Sequence, residues 1–158
     1  MGFNQEEKHR LLDMATEQPP LPVAVFMRMM PPEHDVPSPH ARAVNLTGDE
    51  LPWAEELVAR YPGSELRNVL VYSANTQLKW HTNSDAPGRR LYFIYNESPG
   101  SIFSWMDPDT GKRVDEAEPL GWSTREFTIP ADHLFWHTVY AAGRRISIGL
   151  RVPDDAQL

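Results

Sequence analysis

Two histidines, His81 and His137, lie in segments that are rich in aromatic and β-branched residues. His81 opens the stretch HTNSDAPGRRLYFIYN, and His137 lies within LFWHTVYAAGRRISIGLRV. A neutral imidazole that faces an open cavity is a common metal ligand when other ligands are near. A lone histidine is more often an ordinary core or surface residue. The chemistry to test is therefore a metal site shared by these two side chains.

The run that follows His137 has one apolar face and one polar face. Residues two apart share a face of a strand, so Arg145 and Ser147 lie together, opposite Ile146 and Ile148. Polar faces usually meet water. The alternative is a barrel interior in which Arg145 and Ser147 bind a carboxylate. Arginine suits this role because a guanidinium can donate hydrogen bonds to both carboxylate oxygens. The short separation between His137 and Arg145 suits a hairpin that brings both to one cavity.

The composition bounds what such a site can contain. The chain has 158 residues, enough for one domain with a core, and a net charge of −7. That charge argues against nucleic acid and anionic membranes as partners, and no apolar run approaches the roughly 18 residues that span a bilayer. There are no cysteines, which excludes thiolate ligands and is typical of a reducing cytoplasm. We expect a cytoplasmic protein whose metal ligands are histidine, carboxylate, amide or water.

The first 45 residues indicate a flank rather than a core. Asn4–Glu17 fits a short helix, and seven of the 15 prolines fall between Pro19 and Pro39. Proline fixes φ and lacks an N–H, so this region predicts an extended arm, interrupted by one strand at Val23–Met30. A second helix is predicted over Thr47–Arg60. Its first four residues, TGDE, supply an N-cap and an acidic residue three positions later.

From Arg67 onward the pattern changes to short β-type runs separated by turn residues. Asp107-Pro-Asp-Thr-Gly111 is a strong hairpin signal. Many short strands with such loops predict a mainly β, antiparallel sandwich or barrel. We predict a single domain over 1–158 with one or two N-terminal helices and a jelly-roll core over 67–152. The predicted strands are Asn68–Ser73, Leu78–His81, Arg89–Tyr95, Ser101–Met106, Arg113–Asp115, Thr124–Ile129, Leu134–Tyr140 and Arg145–Val152.

The spacing of these residues resembles the non-haem Fe(II)- and 2-oxoglutarate-dependent oxygenase superfamily. Members carry an HxD motif, a distal histidine and then an arginine about eight to eleven residues on, often as RxS. Here His81, His137 and Arg145-Ile-Ser147 match three of those elements. The resemblance covers about residues 67–152 and implies a double-stranded β-helix, a cupin-like jelly roll. It also implies that the histidines bind Fe(II) and that Arg145 and Ser147 bind 2-oxoglutarate.

The chain departs from that motif at Asn83, which stands where the family has an aspartate. A neutral amide is a weaker Fe(II) ligand than a carboxylate. Asp85 is the next acid and reaches the metal only if its loop curls back. In the aspartyl/asparaginyl β-hydroxylase branch the carboxylate is missing, and two histidines with water suffice. His81-Thr82 leading to Arg90-Leu91 is similar to that branch, which implies that Arg90 and Tyr92 help to hold the cosubstrate.

The resemblance implies a hydroxylase that uses Fe(II), 2-oxoglutarate and O2 on an amino-acid, peptide or small-molecule substrate. The alternative is a catalytically inactive jelly-roll binding module, descended from such enzymes, that lost catalysis with its aspartate. A third possibility is a structural or carbohydrate-binding jelly roll, in which the two histidines are unrelated in space. The distance between the two imidazoles separates this third class from the others.

Overall fold

The computed structural model describes residues 5–34 and 53–158, together with the backbone of 41–43. The chain forms three short helices and nine strands in these parts. The helices are α1 (Gln5–Asp13), α2 (Val23–Phe26) and α3 (Ala54–Ala59). The strands are β1 (Ala41–Ala43), β2 (Glu65–Tyr72), β3 (Thr76–His81), β4 (Gly88–Asn96), β5 (Ile102–Met106), β6 (Arg113–Ala117), β7 (Gly121–Ile129), β8 (His137–Ala141) and β9 (Arg145–Val152).

Strands β2 to β9 pair as a set of nested antiparallel hairpins. β5 pairs with β6, β4 with β7, β3 with β8 and β2 with β9. Successive pairs alternate between two sheets, with orders β1-β2-β9-β4-β7 and β3-β8-β5-β6. A long hairpin rolled up in this way is the jelly roll, or double-stranded β-helix. The prediction of a mainly β jelly roll is confirmed.

The apolar face of β9 points to the helices rather than to the second sheet. Its apolar side chains are almost fully buried, and they form one cluster with leucines of α1 and α3. Burying each such side chain contributes about 1.5–3 kcal/mol, so this layer fixes the helices against the larger sheet. The cluster includes Leu11, Leu12, Leu57, Ile146, Ile148, Leu150 and Val152.

The polar face of β9 points into the space between the two sheets. Arg145 and Ser147 are buried on it. At Gly149 a Cβ atom would lie 2.6 Å from Oδ1 of Asn68 and 2.8 Å from Cε1 of Tyr92, so any larger residue would force these side chains to move. The interpretation of this face as barrel interior is therefore confirmed for Arg145 and Ser147, whereas Arg151 at the end of the same face is exposed.

All eight predicted strands are present, with ends that shift by a few residues. The predicted hairpin turn is also confirmed, because the N–H of Gly111 donates to the carbonyl of Asp107 at 2.8 Å. One strand that the sequence did not predict is β1, which pairs with β2 at the edge of the larger sheet.

The predicted strand at Val23–Met30 is wrong. The chain forms the helical turn α2 there, because the carbonyl of Pro22 accepts a hydrogen bond from the N–H of Phe26 at 3.1 Å. Phe26 is fully buried, and its ring centroid lies 5.2 Å from that of Tyr140. Burial of one large ring thus decides the local conformation over β-propensity.

The two predicted N-terminal helices are present in shorter form. α1 lies within the predicted Asn4–Glu17, and α3 lies within the predicted Thr47–Arg60, of which residues 47–52 lie outside the described residues. Within the described ranges, no helix is both long and apolar enough to cross a membrane.

Candidate metal centre and ligand cavity

The fold brings His81 and His137 together. His81 is the last residue of β3 and His137 the first of β8, and the two are register partners across the smaller sheet. Their ring centroids lie 4.1 Å apart with an interplanar angle of 58°. Both side chains line one cavity between the sheets.

A bulge in β3 turns His81 into that cavity. Leu78 pairs with Val139 and His81 pairs with His137, so β3 holds one residue more than β8 over this interval. Strict alternation would place Leu78 and His81 on opposite faces, and an extra residue reverses the parity. Leu78 and His81 therefore both face inward.

The backbone fixes the tautomer of both imidazoles. Nδ1 of His81 lies 2.6 Å from the carbonyl of Lys79, and Nδ1 of His137 lies 2.8 Å from the carbonyl of Phe135. A carbonyl only accepts, so each Nδ1 carries a proton, and Nε2 carries the lone pair when the ring is neutral. Burial, followed by the nearby His81, holds the pKa of His137 well below its usual value, so this ring is neutral. This is the arrangement that metal-binding histidines adopt.

Asn83 lies beside the histidines, and Asp85 does not. The side-chain nitrogen of Asn83 lies 3.2 Å from Nε2 of His137, and rotation of the amide would exchange its nitrogen and oxygen. Its backbone has φ of 53°, in the left-handed region that asparagine tolerates. Asp85 is exposed and does not line the cavity. The described residues contain no group of three or more His, Cys, Asp or Glu side chains that could hold a metal ion.

The cavity has a volume of about 160 Å³ and lies inside the barrel. Arg145, Ser147 and Tyr92 line it, as do the two histidines. Arg90 is buried but is not part of the lining, and its Nη2 donates to the carbonyl of Ala86. Its charge still reaches His137 and contributes to the low pKa of that ring. Of the four residues predicted to bind cosubstrate, three therefore share the cavity with the histidines.

The guanidinium of Arg145 is already paired with a carboxylate of the chain. Its Nε donates to Oε2 of Glu118 at 2.8 Å and its Nη2 to Oε1 at 2.7 Å, and both side chains are only 1% exposed. Asn96 donates a further hydrogen bond to Glu118 at 3.0 Å. Burial raises the pKa of Glu118, but the charge and hydrogen bonds of Arg145 lower it more, so the pair is ionised.

This pair limits what Arg145 can offer to a ligand. Within the described part of the chain, its Nη1 is buried without a hydrogen-bond partner. A ligand carboxylate would therefore meet the Nη1 amino group of a compensated cation rather than the Nε–Nη2 fork, which Glu118 occupies. Tyr72 stacks on the same guanidinium at 4.9 Å, and burial raises the pKa of Tyr72 to about 12, so its hydroxyl stays neutral.

Two residues at this site were not found from the sequence. Glu118 lies in the loop between β6 and β7, among other acidic residues that are exposed, and no pattern distinguishes it. Arg125 lies on β7 and lines the cavity. It shares a strand face with Phe127, which lines the same cavity, and that shared face was an available signal.

Comparison with known proteins does not assign this chain to a family. No protein-family model matches the chain, and no curated protein matches it. A solved cupin superfamily protein from Desulfitobacterium hafniense is 11% identical, with 89% of this chain and 95% of that chain covered and a TM-score of 0.43. Peruvianin-I, a cysteine peptidase from Thevetia peruviana latex, is 15% identical over 83% and 72% of the two chains, with a TM-score of 0.45. A mutant carbohydrate-binding module of family 29 is 16% identical over 58% and 66%, with a TM-score of 0.32.

Similarities of this size decide neither fold nor function. The assignment of the jelly roll rests on the strand order of this chain.

Proposed function

We propose that this protein is an Fe(II)- and 2-oxoglutarate-dependent oxygenase that hydroxylates an amino-acid, peptide or small-molecule substrate. The observation that supports it best is the pair His81 and His137, with ring centroids 4.1 Å apart and each Nδ1 hydrogen-bonded to a backbone carbonyl. Barrel packing alone gives no reason for two inward imidazoles in this tautomer. Metal binding does, because it needs the lone pair on Nε2.

The iron would be held by Nε2 of His81 and of His137. Imidazole nitrogen suits Fe(II), and water can complete a two-histidine set. Asn83 lies next to this position and would contribute its amide oxygen after rotation of the side chain. Because an amide carries no charge, this centre would bind the metal less tightly than one with an aspartate.

The cosubstrate is a dianion, and the cavity offers it donors. Nη1 of Arg145 is buried without a partner among the described residues and needs an acceptor. The hydroxyls of Ser147 and Tyr92 belong to residues that line the same cavity. We assign the far carboxylate of 2-oxoglutarate to Arg145 and Ser147. The positive charge of Arg90 acts on His137, and it would also attract the carboxylate of 2-oxoglutarate that lies nearer the metal.

Iron and 2-oxoglutarate, when bound, supply the activation of O2 that drives hydroxylation. The chain itself would orient the cosubstrate through Arg145, and burial keeps His137 neutral by lowering its pKa. It also surrounds the centre with apolar rings, since Phe103 and Phe127 lie 6.0 and 5.4 Å from the ring of His137. Such a lining excludes bulk water from the reacting atoms.

A binding module of the same fold is the second candidate, and two observations favour it. Glu118 occupies the side of Arg145 that would otherwise grip a ligand carboxylate. Asn83 stands where the HxD motif has an aspartate, so the metal site lacks that negative charge. A protein with both features would retain the cavity and bind a small ligand without turnover.

Anaerobic titration with Fe(II) and 2-oxoglutarate tests the proposal. An oxygenase gives the weak visible charge-transfer band of a chelated cosubstrate, and O2 then yields succinate. We expect His137→Ala to abolish the band. His133→Ala is the matched control, because His133 is exposed and paired with Asp132, and it should keep the band. Metal binding without band or succinate would favour the binding module, and absence of metal binding would refute the proposal.

A further inference from the structure

Arg125 is a second cation inside the cavity, and the proposed function gives it no role. It lies on β7 opposite Tyr92 on β4 and lines the cavity. Its guanidinium carbon lies 4.0 Å from the ring centroid of Phe103, which holds the side chain in place. Its Nε is buried and has no hydrogen-bond partner within the described part of the chain.

The charge of Arg125 is poorly compensated compared with that of Arg145. Its ion-pair partner, Glu116, lies 3.1 Å from Nη2 and is 55% exposed, whereas the Arg125 side chain is 15% exposed. An ion pair with an exposed carboxylate is screened by water and is worth little. Glu118, by contrast, is as buried as Arg145, to which it is bonded.

The other ionisable groups of the lining add no negative charge. Burial raises the pKa of Tyr72 and of Tyr92, so both hydroxyls are neutral. The described lining contains no Asp or Glu. The cavity therefore carries a positive potential centred on Arg125, together with a buried donor that needs an acceptor.

We propose that Arg125 binds a carboxylate group of the molecule that enters this cavity. The Nε–H group of Arg125 has no acceptor among the described residues, and a carboxylate would supply both the acceptor and the missing negative charge. Where the proposed function holds, on which this last step rests, Arg145 and Ser147 serve the cosubstrate. Arg125 then binds a carboxylate group of the substrate, so the substrate is a carboxylic acid.

Butanoate and its neutral analogue butanamide are suitable probes, because they differ only in the charged group. Binding is measured by ligand-observed NMR on the full chain, with neither metal nor 2-oxoglutarate added. We expect butanoate to bind at least about tenfold more tightly than butanamide, the effect of one charge-assisted hydrogen bond. Arg125→Gln should remove that preference. Arg60→Gln is the matched control, because Arg60 pairs with Glu56 at the surface, and it should bind butanoate like the wild type.

Glu116→Gln gives an independent test that does not depend on the folding of Arg125→Gln. Glu116 is exposed, so its replacement should leave the fold intact. It frees Nη2 of Arg125, and we expect butanoate to bind as tightly as in the wild type or more tightly. Weaker binding in this variant would overturn the proposal, as would equal binding of butanoate and butanamide by the wild type.

Adding saturating 2-oxoglutarate identifies the source of the carboxylate. If butanoate still binds, Arg125 serves the substrate. If 2-oxoglutarate displaces butanoate and binds more weakly to Arg125→Gln, Arg125 serves the cosubstrate, and the assignment to the substrate is wrong. Failure of Fe(II) and 2-oxoglutarate to bind, with Arg125-dependent butanoate binding intact, would refute the oxygenase but leave the carboxylate site standing.

Discussion

Replacing Glu118 by glutamine tests its buried ion pair with Arg145, which lines the cavity. Glu118→Gln keeps the size of the side chain but leaves the charge of Arg145 buried and uncompensated. Removing one partner of a buried pair costs about 3–5 kcal/mol. For a chain of this size each kcal/mol lowers the melting temperature by about 2–4 °C, so we expect a fall of roughly 6–20 °C.

Differential scanning calorimetry of three variants separates the pair from general damage. Glu116→Gln is the control, because Glu116 is an exposed acid two residues away, and its effect should stay within about 0.5 kcal/mol. The double variant Arg145→Met/Glu118→Leu removes both charges and should be much more stable than Glu118→Gln. If Glu118→Gln melts within about 2 °C of the wild type, Arg145 and Glu118 are not the buried pair described above.

The same variant reports on ligand binding. With Glu118 neutral, Arg145 regains an uncompensated charge, and we expect 2-oxoglutarate to bind about tenfold more tightly or better, as measured by titration calorimetry. Unchanged affinity would mean that Arg145 serves only the fold. In that case the assignment of the cosubstrate carboxylate to Arg145 is wrong.

Three further changes test other parts of the account. Asn83→Asp should tighten Mn(II) binding by about tenfold or more, because a carboxylate attracts the cation and an amide does not; unchanged affinity in calorimetry would place Asn83 outside the ligand set. Gly149→Ala should cost about 1–3 kcal/mol in urea unfolding, since its Cβ would lie 2.8 Å from Cε1 of Tyr92; an unchanged midpoint would refute that contact. Burial raises the pKa of Glu118, but the charge of Arg145 lowers it below its ordinary value, so the stabilisation is present above the unfolded pKa and is lost as the pH falls through the folded pKa. Wild type should therefore lose more stability on acidification than Glu118→Gln, and parallel pH curves would contradict this.

The sequence predicted the strands well because local alternation determines them. β9 is the clearest example, with Ile146 and Ile148 on one face and Arg145 and Ser147 on the other. Pattern alone could not decide which face meets the second sheet. That choice depends on α1 and α3, whose leucines cover the apolar face and leave the polar face inside.

Two features of the site depend on geometry that no local pattern contains. The inward position of His81 results from one extra residue in β3, and strict alternation from Leu78 predicts the opposite face. Glu118 meets Arg145 because the β6–β7 loop is held beside the start of β5, where the N–H of Glu118 donates to the carbonyl of Ser101 and Asn96 contacts its side chain. The acidic residues near Glu118 in the sequence have similar neighbours but are exposed. Only the tertiary fold therefore distinguishes Glu118 from them.

The most direct test of the account is the position of a bound metal ion. Crystals grown anaerobically with Mn(II) and 2-oxoglutarate should give one anomalous difference peak within coordination distance, about 2.0–2.3 Å, of Nε2 of both His81 and His137. A peak elsewhere, or no peak at saturating Mn(II), would contradict the assignment of these two imidazoles as a metal centre.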